Sequence, residues 1–402
     1  MKRVAPILAI ALAFGLVISG LGVKRSEAMP PFAQAAGTNC SLCHTMMPGL
    51  NAYGRYILRT FYSGMTYESF HGTNPAWINE NLTDRSTGKL DSRNPNHKIT
   101  YANTSADLVG LAGPKWSYRY EQTLYSNDQS GGGLGNAWIG YNDILGGDGH
   151  LRAGKFSRPV PSVFSNNWYR TGFSMPSIGV GNHTYALSGS GFGTEFSYTH
   201  RNIAAEVSWN SQSTNLPNAA SFSTLPGTQR ATAWQIADAS PGRPLEIGAY
   251  GSIGTYTQNT KPGAIDIFNG TGFYVMRDAQ PRTGVPGIAA IYERTSDSNP
   301  GLVGKLQRPP GASHSVALQL EEPLFKGGAM LGVRKELMDS LGIIQTGSVV
   351  DFGFQVPHLP YLFAYSEAAM GSAYTTATFG RPTWRFGMRW AGPITGPLNK
   401  IK

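Results

Sequence analysis

The feature that most constrains this chain is a two-residue alternation of side chains. It recurs from about Ile99 to Trp390 and is interrupted by clusters of Gly, Pro, Asn, Asp and Ser. In FGTEFSYTH, Phe192, Thr194, Phe196 and Tyr198 fall on one face, and Gly193, Glu195, Ser197 and Thr199 on the other. IAAEVSWN sets Ile203, Ala205, Val207 and Trp209 against Ala204, Glu206, Ser208 and Asn210, so the two runs read as a hairpin closed at His200-Arg201-Asn202. VDFGFQV and TWRFGMRW alternate in the same way. Strands place successive side chains on opposite faces, and no long helical period competes with this one.

Two architectures produce such a pattern. A soluble sandwich turns its apolar faces inward, whereas a transmembrane barrel turns them to lipid and lines its lumen with polar groups. Three features together favour the barrel. Strand ends carry Trp and Tyr, as in WSYRYEQTLY with Trp116, Tyr118 and Tyr120, which suits aromatic girdles at membrane interfaces. Fifty glycines suit tight turns and close strand packing. The polar faces carry Arg119, Glu121, Glu195, Glu206, Arg385 and Arg389, which a wet lumen accepts at little cost. Roughly 290 residues at about 18 per strand and connection give an even strand number near 16. A barrel of that size encloses a lumen, which has room for a small plug.

The N-terminal end carries a different message. Lys2 and Arg3 precede an apolar run from Val4 to Val23, and Ser26-Glu27-Ala28 supplies small residues where a signal peptidase reads. Residues 1–28 therefore read as a signal peptide. The run is nearly long enough for a retained anchor, but Pro6 and three glycines weaken it as a permanent helix. Export leads to an oxidising compartment, where two cysteines would ordinarily form a disulfide. The only two in the chain stand instead as Cys40-Ser-Leu-Cys43-His44, the C-x-x-C-H pattern of c-type haem attachment. Thioether bonds to Cys40 and Cys43 would hold one haem c, and His44 would be its proximal iron ligand. A redox dithiol would want a thioredoxin-like context, and a zinc site a second ligand pair; the sequence offers neither.

From Met29 to about residue 96 the mature chain forms a unit too small for a substantial core of its own. Helical spacing of Tyr53, Tyr56, Ile57 and Phe61 predicts a helix over Leu50 to Phe61, whose aromatics either face the macrocycle or form ordinary packing. For the distal iron position Met65 is the first choice and His71 the alternative. His97 is further along the chain, and Met46 and Met47 sit too near His44 to reach the opposite face. A five-coordinate iron is a further option. The expected organisation is thus a signal peptide (1–28), a monohaem cytochrome c segment (29–96) and a mainly β, antiparallel barrel (97–402).

PFAQAAGTNCSLCHTMMPGLNAYGRYI, followed by an alternating region that contains LRAGKFSRPV, resembles the fused monohaem cytochrome-porins of the bacterial outer membrane, best known from iron-oxidising bacteria. The match rests on Pro31-Phe32-Ala33, Cys40, Cys43, His44, Thr45, Pro48, Leu50, Gly54 and Arg55. It covers roughly 30 residues closely and the remainder only in architecture. The resemblance implies an oxidoreductase in the outer membrane. Its cytochrome segment would sit in or at the mouth of the barrel and pass electrons from extracellular Fe(II) to a periplasmic cytochrome or copper protein. A haem part-way down the lumen would divide an apolar band of about 25 Å into two shorter electron-transfer steps. One departure is that the chain continues for twelve residues beyond Trp390, where barrels of this kind often end on an aromatic residue.

Other chemistry is sparse. Of the formal net charge of +9, the leader supplies four cations and one acid, and no basic run suggests nucleic acid. Charged residues form 14% of the chain, below the usual quarter, which suits a surface in contact with lipid. A cationic protein does not attract Fe(II) through its overall field, so an iron site would be local. SGGGLGN (130–136) and the stretch from Asn210 to Arg230 read as loops, and Gly147-Asp148-Gly149 as a tight turn. His150, His183, His200, His314 and His358 lack metal-ligand spacing. Two rival functions stand beside electron transfer: a transport porin with a haem-bearing plug, and a soluble periplasmic cytochrome with a β-rich partner domain.

Overall fold

The computed structural model describes residues 31–37, 40–71, 75–87, 99–126, 133–157, 161, 177–180, 183–186, 190–217, 224–258, 265–298, 311–325, 328–356, 359, 362–372 and 383–393. The signal-peptide reading, His97 and the chain after Pro393 lie outside them. Sixteen antiparallel strands close into one barrel. In chain order they are β1 (Ala76–Thr87), β2 (Ile99–Leu111), β3 (Trp116–Ser126), β4 (Leu134–Ile144), β5 (Gly149–Ser157), β6 (Ser190–His200), β7 (Ile203–Pro217) and β8 (Thr224–Asp238). The second half comprises β9 (Leu245–Gln258), β10 (Ile265–Arg277), β11 (Gly287–Asp297), β12 (Gly311–Leu324), β13 (Ala329–Ser340), β14 (Ile343–Gln355), β15 (Leu362–Met370) and β16 (Thr383–Pro393). Each strand pairs with its neighbours in sequence, and β16 closes on β1 with Thr383 opposite Thr87 and Pro393 opposite Trp77.

The alternation now has a direction. On β7, Ile203, Val207 and Trp209 are about half exposed, while Glu206, Ser208 and Asn210 are buried. Ile236, Ile253, Phe273 and Leu318 likewise point outward on their strands, and Gln235, Ser252 and Glu293 inward. A sheet that exposes its apolar face and buries its charges is the inverse of a soluble sandwich, and it matches a transmembrane barrel. Trp116 and Tyr120 belong to the exposed face, as the girdle reading requires. Among the described residues no helix is long and apolar enough to cross a membrane.

Three expectations need correction. The barrel begins at Ala76 rather than at 97, because β1 pairs with both β2 and β16. Its asparagine-rich sequence, AWINENLTDRST, lacks the clean apolar alternation that marks the other strands. Most of the stretch from Asn210 to Arg230 is paired strand, with Ser211 opposite Arg230 and Pro217 opposite Thr224. Its polar and proline content suits a strand end standing clear of the lipid. Leu134, Gly135 and Asn136 of the glycine-rich run open β4. The hairpin at Arg201-Asn202 is as expected, with His200 paired to Ile203.

Connections at one end are short: 112–115, 145–148, 201–202, 239–244, 278–286, 325–328 and 356–361. Most at the other end are longer, the longest running from 158 to 189. Short turns mark the periplasmic end in barrels of this kind. The longest connection contains a small hairpin, Ser177–Val180 with His183–Ala186, whose first strand lies against β10, β11 and β12, across the lumen from β5 and β6.

The chain before β1 lies inside the barrel at its short-turn end. It contains helix α1 (Pro31–Ala35), a 3-10 turn (Cys40–Leu42), a two-stranded turn pairing His44 with Leu50, helix α2 (Ala52–Arg59) and helix α3 (Tyr67–Phe70). The side-chain oxygen of Asn51 accepts a hydrogen bond from Gly54 N–H at 3.0 Å and so caps α2, inside the predicted helix. Ile57, Phe61, Tyr62, Met65 and Phe70 form a core with Val109, Trp138 and Phe156 of the wall.

Candidate haem site at the short-turn end

Cys40, Cys43 and His44 are brought together in one tight turn, where Cys43 N–H donates to Cys40 O at 3.2 Å. Both thiols are free and half-buried, and burial pushes each up to about 11. The turn is held from α2. Asn51 donates through Nδ2 to the carbonyls of Leu42 (2.9 Å) and Ser41 (3.3 Å), and its own N–H donates to Cys43 O at 2.9 Å. Gly54 faces that same carbonyl so closely that a Cβ would overlap it and press on Leu50. The stretch Asn51 to Arg55 thus supplies the cap, the gap and an anchor for the motif.

His44 Nδ1 lies 3.1 Å from Pro48 O. A carbonyl only accepts, so the proton sits on Nδ1 and the Nε2 lone pair is left for a metal. Burial, aided by the charge of Arg389 and opposed by the bond to Pro48, lowers the imidazole to about 4 and keeps it neutral, the form that ligates iron.

His44 lines a cleft of about 610 Å³. One wall comes from the inner segment: Ser41, Leu42, Thr45, Asn51 and Tyr53. The other comes from two barrel turns, through Pro241, Gly242 and Pro244 between β8 and β9, and Asp278 to Thr283 between β10 and β11. The free cysteine pair and the histidine tautomer suit a covalently attached haem, whereas neither Cys40 nor Cys43 lines the cleft beside His44. Among the described residues no group of three His, Cys, Asp or Glu side chains converges to hold a metal ion.

The distal candidates lie elsewhere. Met65 is buried in the aromatic core with Phe61, Tyr62 and Trp138, whereas Cys40 packs with Met46, Met47, Met330 and Phe363. His71 is exposed at the end of α3 with its ring near Tyr67. Neither Met65 nor His71 lines the cleft. Of the residues set at helical spacing, Tyr53 lines the cleft, while Ile57 and Phe61 serve the core. A position part-way down the lumen is not observed either, since the motif sits at the barrel mouth.

Buried ion pairs clamp the inner segment to the wall, and sequence reasoning did not foresee them. Arg55 grips Asp278 with both terminal nitrogens (2.8 and 3.1 Å), Glu246 through Nε (3.0 Å) and Leu50 O (2.8 Å). Arg59 pairs with Glu246 and lies 3.4 Å from Glu206. Tyr274 O–H donates to Glu246 at 2.7 Å, and Ala52 N–H to Asp278 at 2.7 Å. On the adjoining strands Arg152 stacks 4.7 Å from the Phe61 ring and 4.2 Å from that of Phe156, while donating to Glu195 at 3.0 Å. Two arginines one helical turn apart were the available signal, and only the barrel reveals their partners.

No protein-family model and no curated protein matches the chain. Among solved structures it is similar to the trimer form of OmpT, an outer membrane protein of Vibrio cholerae, at 10% identity over 79% of this chain and 98% of that one, with a TM-score of 0.54. Salmonella typhi OmpF in complex with daunomycin gives 11%, 80%, 98% and 0.54. An anion-selective porin from Comamonas acidovorans gives 11%, 79%, 98% and 0.53. At such identities the likeness is one of fold alone, and that fold is the porin barrel.

Proposed function

We propose that this chain is an outer-membrane electron-transfer protein, a porin-fold barrel whose N-terminal segment carries one haem c at the periplasmic mouth. The observation that carries the reading is His44, neutral, bonded through Nδ1 to Pro48 O and lining the cleft directly after the cysteine pair. Cys40 and Cys43 would hold the porphyrin and His44 its iron. Haem iron, cycling between ferric and ferrous states, supplies one-electron transfer. The chain's own residues fix the attachment turn through Asn51 and Gly54, lock it to the wall through Arg55 and Arg59, and leave Ser41 and Leu42 exposed toward periplasmic carriers.

The extracellular donor in this reading is Fe(II). The resemblance to iron-oxidising cytochrome-porins points to it. The test is vesicle reconstitution of haem-loaded protein with Fe(II) added outside under anaerobic conditions. Reduction of the haem bands within seconds is expected, and bands that dithionite reduces but Fe(II) does not would remove iron as donor.

The fold likeness to porins favours a second reading, a transport pore in which the haem-bearing segment is a plug. Against it, inner-wall side chains such as Tyr250, Phe268 and Met276 are fully buried, so that arc of the wall, on β9 and β10, is covered. Steady ion conductance of the haem-loaded protein in planar bilayers would favour the pore.

A further inference from the structure

We infer that the outer face of the barrel between β10 and β13 holds one anionic phospholipid, with an acyl chain in a groove over Ala290 and the phosphate on Lys335. The site lies on the lipid side of the wall and is independent of the haem reading.

Two rows of outward side chains shape the groove, which has a volume of about 370 Å³. Strand pairing sets Val275, Ala290 and Leu318 side by side in one row, and Ile288, Leu320 and Val333 in the next. The others are bulky, apolar and exposed, whereas Ala290 is small and half-buried among them. Its missing volume leaves a trough that runs obliquely across the strands. In a bilayer such a trough is filled by a hydrocarbon chain, which makes the dispersion contacts that a larger side chain would have made.

A charge at the end of the first row selects the lipid. Lys335 stands opposite Leu318, lines the groove, and is exposed between Val333 and Leu337 on the same apolar face. A cation on the lipid side of a barrel is costly, and ionisable groups within a membrane persist where a partner meets them. Lys335 Nζ donates to Ser348 Oγ at 2.9 Å, a neutral acceptor, and forms no ion pair among the described residues. The acids on the same side of these strands, Glu322 on β12 and Asp339 on β13, stand four positions along from this row, roughly 13 Å away. Asp339 also accepts a hydrogen bond from Gly342 N–H at 3.0 Å. A phospholipid brings both complements in one molecule. Its phosphate accepts from the ammonium, and the Ser348 hydroxyl, which accepts from Lys335, keeps its own proton to donate to a second phosphate oxygen. On β13 the groove continues to Val333, on the short-turn side of Lys335, so the chain runs from that head toward the periplasmic end.

The experiment is native mass spectrometry of the detergent-purified full chain. It is titrated with dioleoylphosphatidylglycerol or with dioleoylphosphatidylcholine, which has the same chains and a zwitterionic head. Heat-modifiable migration confirms that each variant is folded. Wild type should bind one phosphatidylglycerol at least about tenfold more tightly than phosphatidylcholine, as one charge-assisted bond provides. Lys335→Gln should erase that preference, and Lys335→Arg should keep it. Ala290→Leu should weaken binding of both lipids, while Ala205→Leu, the same change on the outer face of β7, should leave both as in wild type. Equal binding of the two lipids to wild type, an undiminished preference in Lys335→Gln, or equal losses in Ala205→Leu and Ala290→Leu overturns the inference. So does a wild-type dimer that excludes lipid and is lost in Ala290→Leu, which would make the groove an interface between copies of the chain.

Discussion

Replacing Arg55 by Met tests how the inner segment is held. Methionine keeps most of the stem volume and removes the guanidinium, so the change is chiefly electrostatic. The loss does not fall evenly on the two partners. Glu246 retains Arg59 and the Tyr274 hydroxyl, whereas Asp278 loses both of its bonds to Arg55 and keeps the one from Ala52 N–H. Breaking a buried pair by removing one partner costs about 3–5 kcal/mol. With Glu246 still paired, the lower end applies, about 3 kcal/mol against docking of the segment. At about 1.4 kcal/mol per tenfold change, the undocked population rises on the order of 100-fold. The barrel ladder is untouched, so the effect should be confined to the segment. When opening and closing are fast relative to cleavage, proteolysis follows the open population. The cleavage rate between residues 31 and 71 in detergent should therefore rise about 100-fold, while the barrel stays intact and shifts mobility on heating as wild type does. Arg55→Met with Asp278→Leu should recover much of the loss, since no orphaned charge remains. A cleavage rate within twofold of wild type for Arg55→Met alone would refute the clamp.

Other perturbations follow from the same geometry. Gly54→Ala places a methyl group against Cys43 O and Leu50, and should cost about 1–3 kcal/mol of strain; the yield of covalent haem per barrel should fall, as read by haem staining. Cys40→Ala with Cys43→Ala should abolish the covalent mass increment while leaving heat-modifiable barrel migration unchanged. Leu318→Arg places a charge on the exposed apolar face and should destabilise the barrel by about 2–4 kcal/mol, as measured by urea unfolding in liposomes. In haem-free protein, His44 is held neutral below its ordinary range, so the unfolded segment takes up a proton before the docked one does. Docking should weaken as pH falls from about 6.5 toward 4, and His44→Gln should flatten that dependence in a protease assay.

Much of the fold was legible because the barrel's chemistry is periodic. Val207 and Glu206 differ in environment as sharply as in polarity, and a period of two records that difference directly. β1 was missed because Glu80 and Asp84 interrupt the apolar face that Ile78 and Leu82 begin, and its place as the closing strand depends on β16, some 300 residues away. The C-x-x-C-H pattern was visible because its three residues fall within one turn. Its supports were less accessible. Asn51 and Gly54 act at short range, yet their purpose appears only when α2 turns back onto Cys43. Arg55 and Arg59 find Asp278, Glu246 and Glu206 at sequence separations of 147 to 223 residues. Met65, favoured by chain length as an iron ligand, was claimed by an aromatic core that offered it better burial.

The clamp also has a mechanical side. The inner segment joins the barrel wall at β1, and its ion pairs grip β7, β9 and the turn after β10, about half the circumference away. A closed ring of hydrogen-bonded strands resists stretching around its girth but has little to oppose flattening across a diameter. A segment anchored at both ends of such a diameter acts as a strut, and holds the mouth to one cross-section.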